Sequence, residues 1–169
     1  MELIREVPDF PKPGIMFQDI TPLLSNAEAF HLVVTQMSSI APHFDCVAGM
    51  EARGFIFASA IANQCNKGFI PIRKSGKLPH QTYSENYGLE YGQDTLEIHN
   101  DACGPELKVL IVDDVLATGG TACAAIRLIQ KTGATITHIV FLLEIVALDG
   151  RAKIQRAFPH INIESIKTI

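Results

Sequence analysis

Two adjacent aspartates, Asp113 and Asp114, end the apolar run Val109–Val112, and Ala-Thr-Gly-Gly-Thr follows at 117–121. The two parts call for different chemistry. Glycines between a strand and a helix let backbone N–H groups approach a ligand closely. The helix N-terminus adds partial positive charge, so an anion is favoured there. Thr118 and Thr121 add hydroxyl donors. The aspartates would repel that anion, so they must face another part of the ligand. Carboxylates accept hydrogen bonds from vicinal hydroxyls and favour positive charge developing on a nearby carbon. A ribose carrying a 5-phosphate satisfies both halves. No Gly-Lys-Ser/Thr follows and no GxGxxG is present, so nucleoside triphosphates and dinucleotides fit poorly. The ordinary alternative is a solvated acidic turn ahead of a capped helix.

The elements around this stretch must hold it at the edge of a sheet. "KVLIVDD" (108–114) is nearly continuous in apolar residues, as strands buried on both faces are. A helix is expected from about Gly119 to Lys131, ended by Gly133. "CVAGM" (46–50), "GFIPIR" (68–73), "TITHIVFLLEI" (135–145) and "INIESI" (161–166) read as further strands. "EARGFIFASAIANQC" reads as a helix packing through Phe55, Ala58, Ile61 and Ala62, and "DGRAKIQRAF" (149–158) as a short one. Ser25 or Asn26 can cap a helix running to about Ile40. Prolines at 8, 11, 13 and 22 exclude a regular helix in the first segment, which reads as an extended arm. "KSGKLPHQTYSENYG" (74–88) reads as a mobile loop of the kind that forms lids, and "LEYGQDTLEIH" as paired strands around a Gly-Gln-Asp turn. Strand and helix alternate, so the fold class is α/β, a parallel sheet flanked by helices. One domain over 1–169 is expected, with about 1–24 forming a small hood or arm.

Composition narrows the function classes. The 169 residues are 47% hydrophobic and carry a formal charge of −4, so a globular chain is expected and nucleic acid is not an expected partner. The four cysteines, Cys46, Cys65, Cys103 and Cys123, show no CxxC spacing and read as free thiols of a reducing compartment. The segment "MELIREVPDF" has no secretory h-region, and no run of about 18 apolar residues occurs, so a cytoplasmic protein without a membrane partner is expected.

"VLIVDDVLATGGT" closely resembles the phosphoribosyl pyrophosphate signature of the type I phosphoribosyltransferases. "DFPKPGIMFQDITPLL", "EARGFIF", "RKSGKLP" and "LEYG…LEIH" stand in the order and spacing of the adenine phosphoribosyltransferase family. The resemblance implies transfer of a phosphoribosyl group to adenine, giving AMP and pyrophosphate. Mg²⁺ would be the cofactor, bound through the substrate with no direct protein ligand, and a homodimer the usual assembly. It implies that Asp113 and Asp114 bind the ribose hydroxyls, while Ala117, Thr118, Gly119, Gly120 and Thr121 cradle the 5-phosphate. Glu51, Ala52, Arg53, Lys74 and Lys77 would face the pyrophosphate, with the Glu51–Ala52 peptide cis. Met16, Phe17 and Gln18 would form the adenine pocket, by stacking on Phe17 and backbone readout of the base edge. Gln18 stands where arginine is usual, and Ala58 where glycine is common. Glu90 would act near N7 of the base, with Arg53 also catalytic, and Tyr91 would close over the substrate. Two other readings compete: a 6-oxopurine enzyme using hypoxanthine or guanine, and a non-catalytic purine-sensing relative.

Overall fold

The apolar runs of the sequence become the inner strands of one sheet, among them β7 (Lys108–Leu116), which pairs with the central strand. The computed structural model describes residues 3–41, 43–88 and 93–169. The chain divides into two compact units, Met1–Thr35 and Gln36–Ile169, with the boundary inside the second helix.

In the first unit, β1 (Arg5–Val7) and β2 (Phe17–Asp19) pair antiparallel, Arg5 opposite Asp19 and Val7 opposite Phe17. The Arg5 guanidinium lies 2.6 Å from the Asp19 carboxylate, whose other oxygen accepts the Thr21 N–H at 2.9 Å. Hydrogen bonds from Thr21 and Arg5 hold the Asp19 carboxyl down at about 2. Thr21–Leu24 then forms a short helix, α1, with Pro22 in its first turn. The expected exclusion of helix is therefore wrong at this proline. In a first turn the missing N–H has no intrahelical partner to lose, and the fixed φ suits the helix. Next comes α2 (Ala27–Ile40), capped as expected, with Asn26 Oδ1 accepting the Ala29 N–H at 2.9 Å.

The second unit carries β3 (Cys46–Met50), α3 (Gly54–Gln64), β4 (Gly68–Lys74), β5 (Thr82–Gly88) and β6 (Gln93–His99) before β7. After β7 come α4 (Gly120–Lys131), β8 (Thr135–Glu144), a 3₁₀ turn (Val146–Leu148), α5 (Gly150–Ala157) and β9 (Asn162–Thr168). The strand order is β5-β6-β4-β3-β7-β8-β9. From β4 to β9 every pairing is parallel, and β6 and β5 add an antiparallel edge. Strand alternation divides the core. Ala48, Met50, Val109 and Ile111 join a cluster with α4, whereas a Cβ at Gly49 would stand 2.6 Å from that of Ala58 on α3. That glycine leaves room for the alanine at position 58, which is fully buried.

Three local expectations change. The polar stretch 74–88 is a loop only at its start. Thr82–Gly88 is a strand, paired with β6 from Thr82 opposite His99 to Gly88 opposite Gln93. An edge strand with much exposed surface needs no apolar alternation, so its sequence looks like a loop. The strand pair expected within 89–99 is instead the pairing of 93–99 with 82–88, and residues 89–92 lie outside the described residues. On α3 the buried face includes Phe57, while Phe55 is half-buried, edge-on to Phe69 with ring centroids 5.4 Å apart.

Candidate active site

The carboxyl end of β7 delivers Asp113 and Asp114 to the sheet edge, as ligand-binding residues are in open α/β folds. The Asp113 Oδ1 accepts the Asp114 N–H at 2.9 Å. A Cβ at Gly54, the first residue of α3, would stand 2.7 Å from that same oxygen. Only glycine there lets α3 start so close to the acidic pair. Burial, then the charge of Asp114, pushes the Asp113 carboxyl well above the usual carboxylate range. Burial also raises Asp114, against the pull of Arg53. Arg53 Nε lies 2.7 Å from Asp114 Oδ2. That contact is ionic rather than an aligned hydrogen bond, because Oδ2 is buried and no donor among the described residues points at it.

Beyond the aspartates, residues 117–121 line a small cavity of about 60 Å³ together with Asp113. Gly119 has φ +75°, and a Cβ there would meet the Gly150 carbonyl oxygen at 2.7 Å. Gly150 reciprocates, because its Cβ would fall 2.1 Å from the Ala117 carbonyl oxygen. The loop is thus backed by the first turn of α5. That helix is tied down by Arg151, which donates to the Glu144 carboxylate at 2.8 and 2.5 Å and to the Ile163 carbonyl at 2.7 Å. Ser165 donates to the same carboxylate at 2.8 Å. The Arg151 guanidinium, with Ser165 adding to it, holds the Glu144 carboxyl below its ordinary range despite burial.

A second charged group grows from the turn 51–53. The Glu51–Ala52 peptide is cis. The Glu51 carboxylate pairs with the Lys77 ammonium, accepts the Lys74 N–H at 3.1 Å and meets Arg73 Nε at 3.3 Å. Burial alone would raise this carboxyl, but the Lys77, Lys74 and Arg73 donors hold it below its ordinary value. The Lys74 ammonium instead lies 2.8 Å from Asp94 Oδ2, the oxygen to which the Tyr87 hydroxyl donates at 3.1 Å. Asp94 raises Lys74 in turn. The Tyr87 ring lies over the start of α4, within 3.7 Å of where a Gly120 Cβ would stand. Burial and its bond to Asp94 raise the Tyr87 hydroxyl, and Thr121 opposes them.

The structure therefore gathers Arg53 with Asp113 and Asp114, and Glu51 with Lys74 and Lys77. Met16, Phe17 and Gln18 belong to the first unit, where Met16 is exposed, Gln18 is buried and Phe17 meets Phe10 edge-on at 5.1 Å. Glu90 and Tyr91 lie outside the described residues. Sequence reasoning missed Gly54, Arg73, Tyr87 and Asp94. Gly54 and Arg73 adjoin selected residues, in "ARGF" and "IRKSGK". Tyr87 and Asp94 carry no local signal, because strand pairing alone brings them together.

A family profile described as the phosphoribosyl transferase domain matches residues 27–164. The adenine phosphoribosyltransferase of Halothermothrix orenii is 53% identical over 156 residues, covering 91% of this chain and 92% of that protein. The crystal structure of the adenine phosphoribosyltransferase from Thermoanaerobacter pseudethanolicus superposes with a TM-score of 0.92 at 45% identity, over 99% of this chain and 96% of the other. The Saccharomyces cerevisiae enzyme, complexed with an imino-altritol bisphosphate and adenine, gives a TM-score of 0.89 at 33% identity, over 98% and 94% of the two chains.

Proposed function

The chain belongs to the adenine phosphoribosyltransferases of the phosphoribosyl transferase family, and from that premise we propose how its residues share the reaction. The enzyme is a pentosyltransferase of purine salvage. It joins adenine to the phosphoribosyl group of 5-phosphoribosyl 1-pyrophosphate, giving AMP and pyrophosphate. The observation that carries the residue assignment is the buried acidic pair beside Arg53, one short loop before the start of α4.

In this reading the N–H groups of 117–121 and the hydroxyls of Thr118 and Thr121 hold the 5-phosphate at the α4 N-terminus. Asp113 and Asp114 accept the ribose 2- and 3-hydroxyls. Their negative charge also favours the positive charge that C1 gains in an oxocarbenium-like transition state. As the bond from C1 to pyrophosphate breaks, Arg53, Lys74 and Lys77 receive the leaving group. Each of these cations already rests on a carboxylate: Asp114, Asp94 and Glu51 respectively. Pyrophosphate competes with those carboxylates for the cations. Such charge-assisted bonds are strong and suit a polyanion.

Adenine occupies the hood. Phe17 stacks on the base, and backbone groups of Met16 and Gln18 read its edge. Glu90 serves the proton near N7, and Tyr91 closes over the substrate to exclude water. Among the described residues no three His, Cys, Asp or Glu side chains converge on a common point. That fits a Mg²⁺ held by the oxygens of the substrate's pyrophosphate with no direct protein ligand, where it would neutralise charge on the leaving group. A homodimer in the cytoplasm completes the reading. No helix of the described residues is long and apolar enough to cross a membrane.

A panel of adenine, hypoxanthine and guanine, assayed with phosphoribosyl pyrophosphate and Mg²⁺, tests the base assignment. Adenine should be turned over far better than either 6-oxopurine. Preference for hypoxanthine would overturn the hood reading.

A further inference from the structure

We infer that Lys153, on α5, is a binding residue for the substrate's 5-phosphate, supplying from a separate helix the side-chain cation that residues 117–121 lack. The inference rests on the reading of 117–121 as the phosphate cradle. The Lys153 ammonium lies 3.8 Å from the point a Gly120 Cβ would occupy, and the Thr118 hydroxyl lies 3.8 Å from the same point. Gly120 is the first residue of α4, and it lines the cavity with Thr121 and Ala122. A lysine there is within reach of any anion seated on that turn.

Its setting differs from that of the cations assigned to pyrophosphate. Lys74, Lys77 and Arg53 each contact a carboxylate. Among the described residues no carboxylate lies within ion-pair distance of Lys153. Asp149, one turn earlier, meets it only through the backbone, where the Lys153 N–H donates to the Asp149 carbonyl at 3.1 Å. An ammonium with no carboxylate partner among the described residues, beside the turn read as the phosphate cradle, is arranged for a ligand charge. Its charge already reaches into α4, where it adds to Arg127 in opposing the burial that raises the Cys123 thiol.

The helix that carries Lys153 is well placed for this role. Gly150 closes on Ala117 and Gly119, and Arg151 is bound to Glu144, Ile163 and Ser165. One residue on from Ala152, the Lys153 backbone is therefore fixed relative to the loop. Only its flexible stem moves. The charge argument also favours it. The phosphate sits near two aspartates, and the helix end offers only about half an elementary charge. A full positive charge on the far side of the loop offsets that repulsion.

The test compares Lys153→Met, Lys153→Arg and Thr121→Val in the full chain. The Michaelis constant for phosphoribosyl pyrophosphate should rise about tenfold in Lys153→Met, as expected for a lost charge-assisted bond. The constant for adenine should stay within about twofold, and Lys153→Arg should recover most of the loss. Protection of the protein against heat by inorganic phosphate should weaken in parallel, without reference to turnover. If Lys153→Met keeps wild-type affinity for both ligands while Thr121→Val loses it, the Lys153 inference falls and the cradle reading stands. If neither variant weakens either ligand, both fall.

Discussion

Gly150→Ala perturbs the loop 117–121, the proposed phosphate cradle, without replacing any of its residues. The added Cβ would stand 2.1 Å from the Ala117 carbonyl oxygen, 2.9 Å from the Gly119 nitrogen and 2.9 Å from Leu116 Cδ1. Two of these are backbone atoms, which cannot swing aside as a side chain does. Opening 2.1 Å to beyond 3.0 Å requires a shift of about 1 Å. The start of α5 cannot take it cheaply. Arg151 is bound to Glu144 and Ser165, and Ile154 is buried in the core. The loop at 117–119 must therefore move. Overpacking of this kind costs about 1–3 kcal/mol. For a domain of this size each kcal/mol lowers the melting temperature by about 2–4 °C. A misplacement of about 1 Å in a positioning element costs about a hundredfold in rate. Steady-state kinetics at saturating adenine should therefore show kcat/KM for phosphoribosyl pyrophosphate down by about that factor, with a melting point several degrees lower. Gly104→Ala is the control, because a Cβ there meets nothing within 4 Å. A Gly150→Ala enzyme with wild-type kcat/KM would refute the reasoning even if its melting point fell. The loop would then either not have moved or not hold the substrate.

Two further outcomes follow from the carboxylates. Asp113→Asn should lower turnover by about a hundredfold or more while keeping or raising the melting point. The folded state raises the Asp113 carboxyl, so the wild-type contribution is present below its unfolded value of 3.8 and is lost as pH rises through the folded value. The melting-point advantage of the asparagine variant should accordingly grow as pH rises, and a deficit at every pH would contradict it. Glu51 has the opposite sign. Its folded carboxyl is held low, so its contribution is present above 4.5 and is lost as pH falls through the folded value. Acid melting curves of Glu51→Gln should be flatter than those of the wild type in that range, and parallel curves would remove Glu51 from the Lys74–Lys77 cluster.

The limits of sequence reading are visible in particular residues. The strands β3 and β7 match their apolar runs, since burial on both faces leaves little choice of residue type. The helix α4 ends where Gly133, at φ +85°, was expected to end it. The edge strand β5 was illegible, because its polar residues record exposure and not the backbone pairing that makes it a strand. On α3 Phe57, not Phe55, joins Ala58, Ile61 and Ala62 on the buried face, because two aromatics two positions apart both suit a helix that is apolar nearly all round.

By itself the sequence determined the local chemistry: the acidic pair, the glycine loop, the cations of 74–77 and the elements that bear them. These are legible because hydrogen bonding at a strand end and a helix start is set by residues adjacent in the chain. Tertiary structure decided which charges face each other. Asp94 reaches Lys74 across the β4–β6 pairing, Gly54 makes room for Asp113, and Gly150 supports Ala117 from a helix more than thirty residues later. Such contacts depend on strand order and on atomic clearances of a few tenths of an ångström, and neither leaves a pattern along the chain.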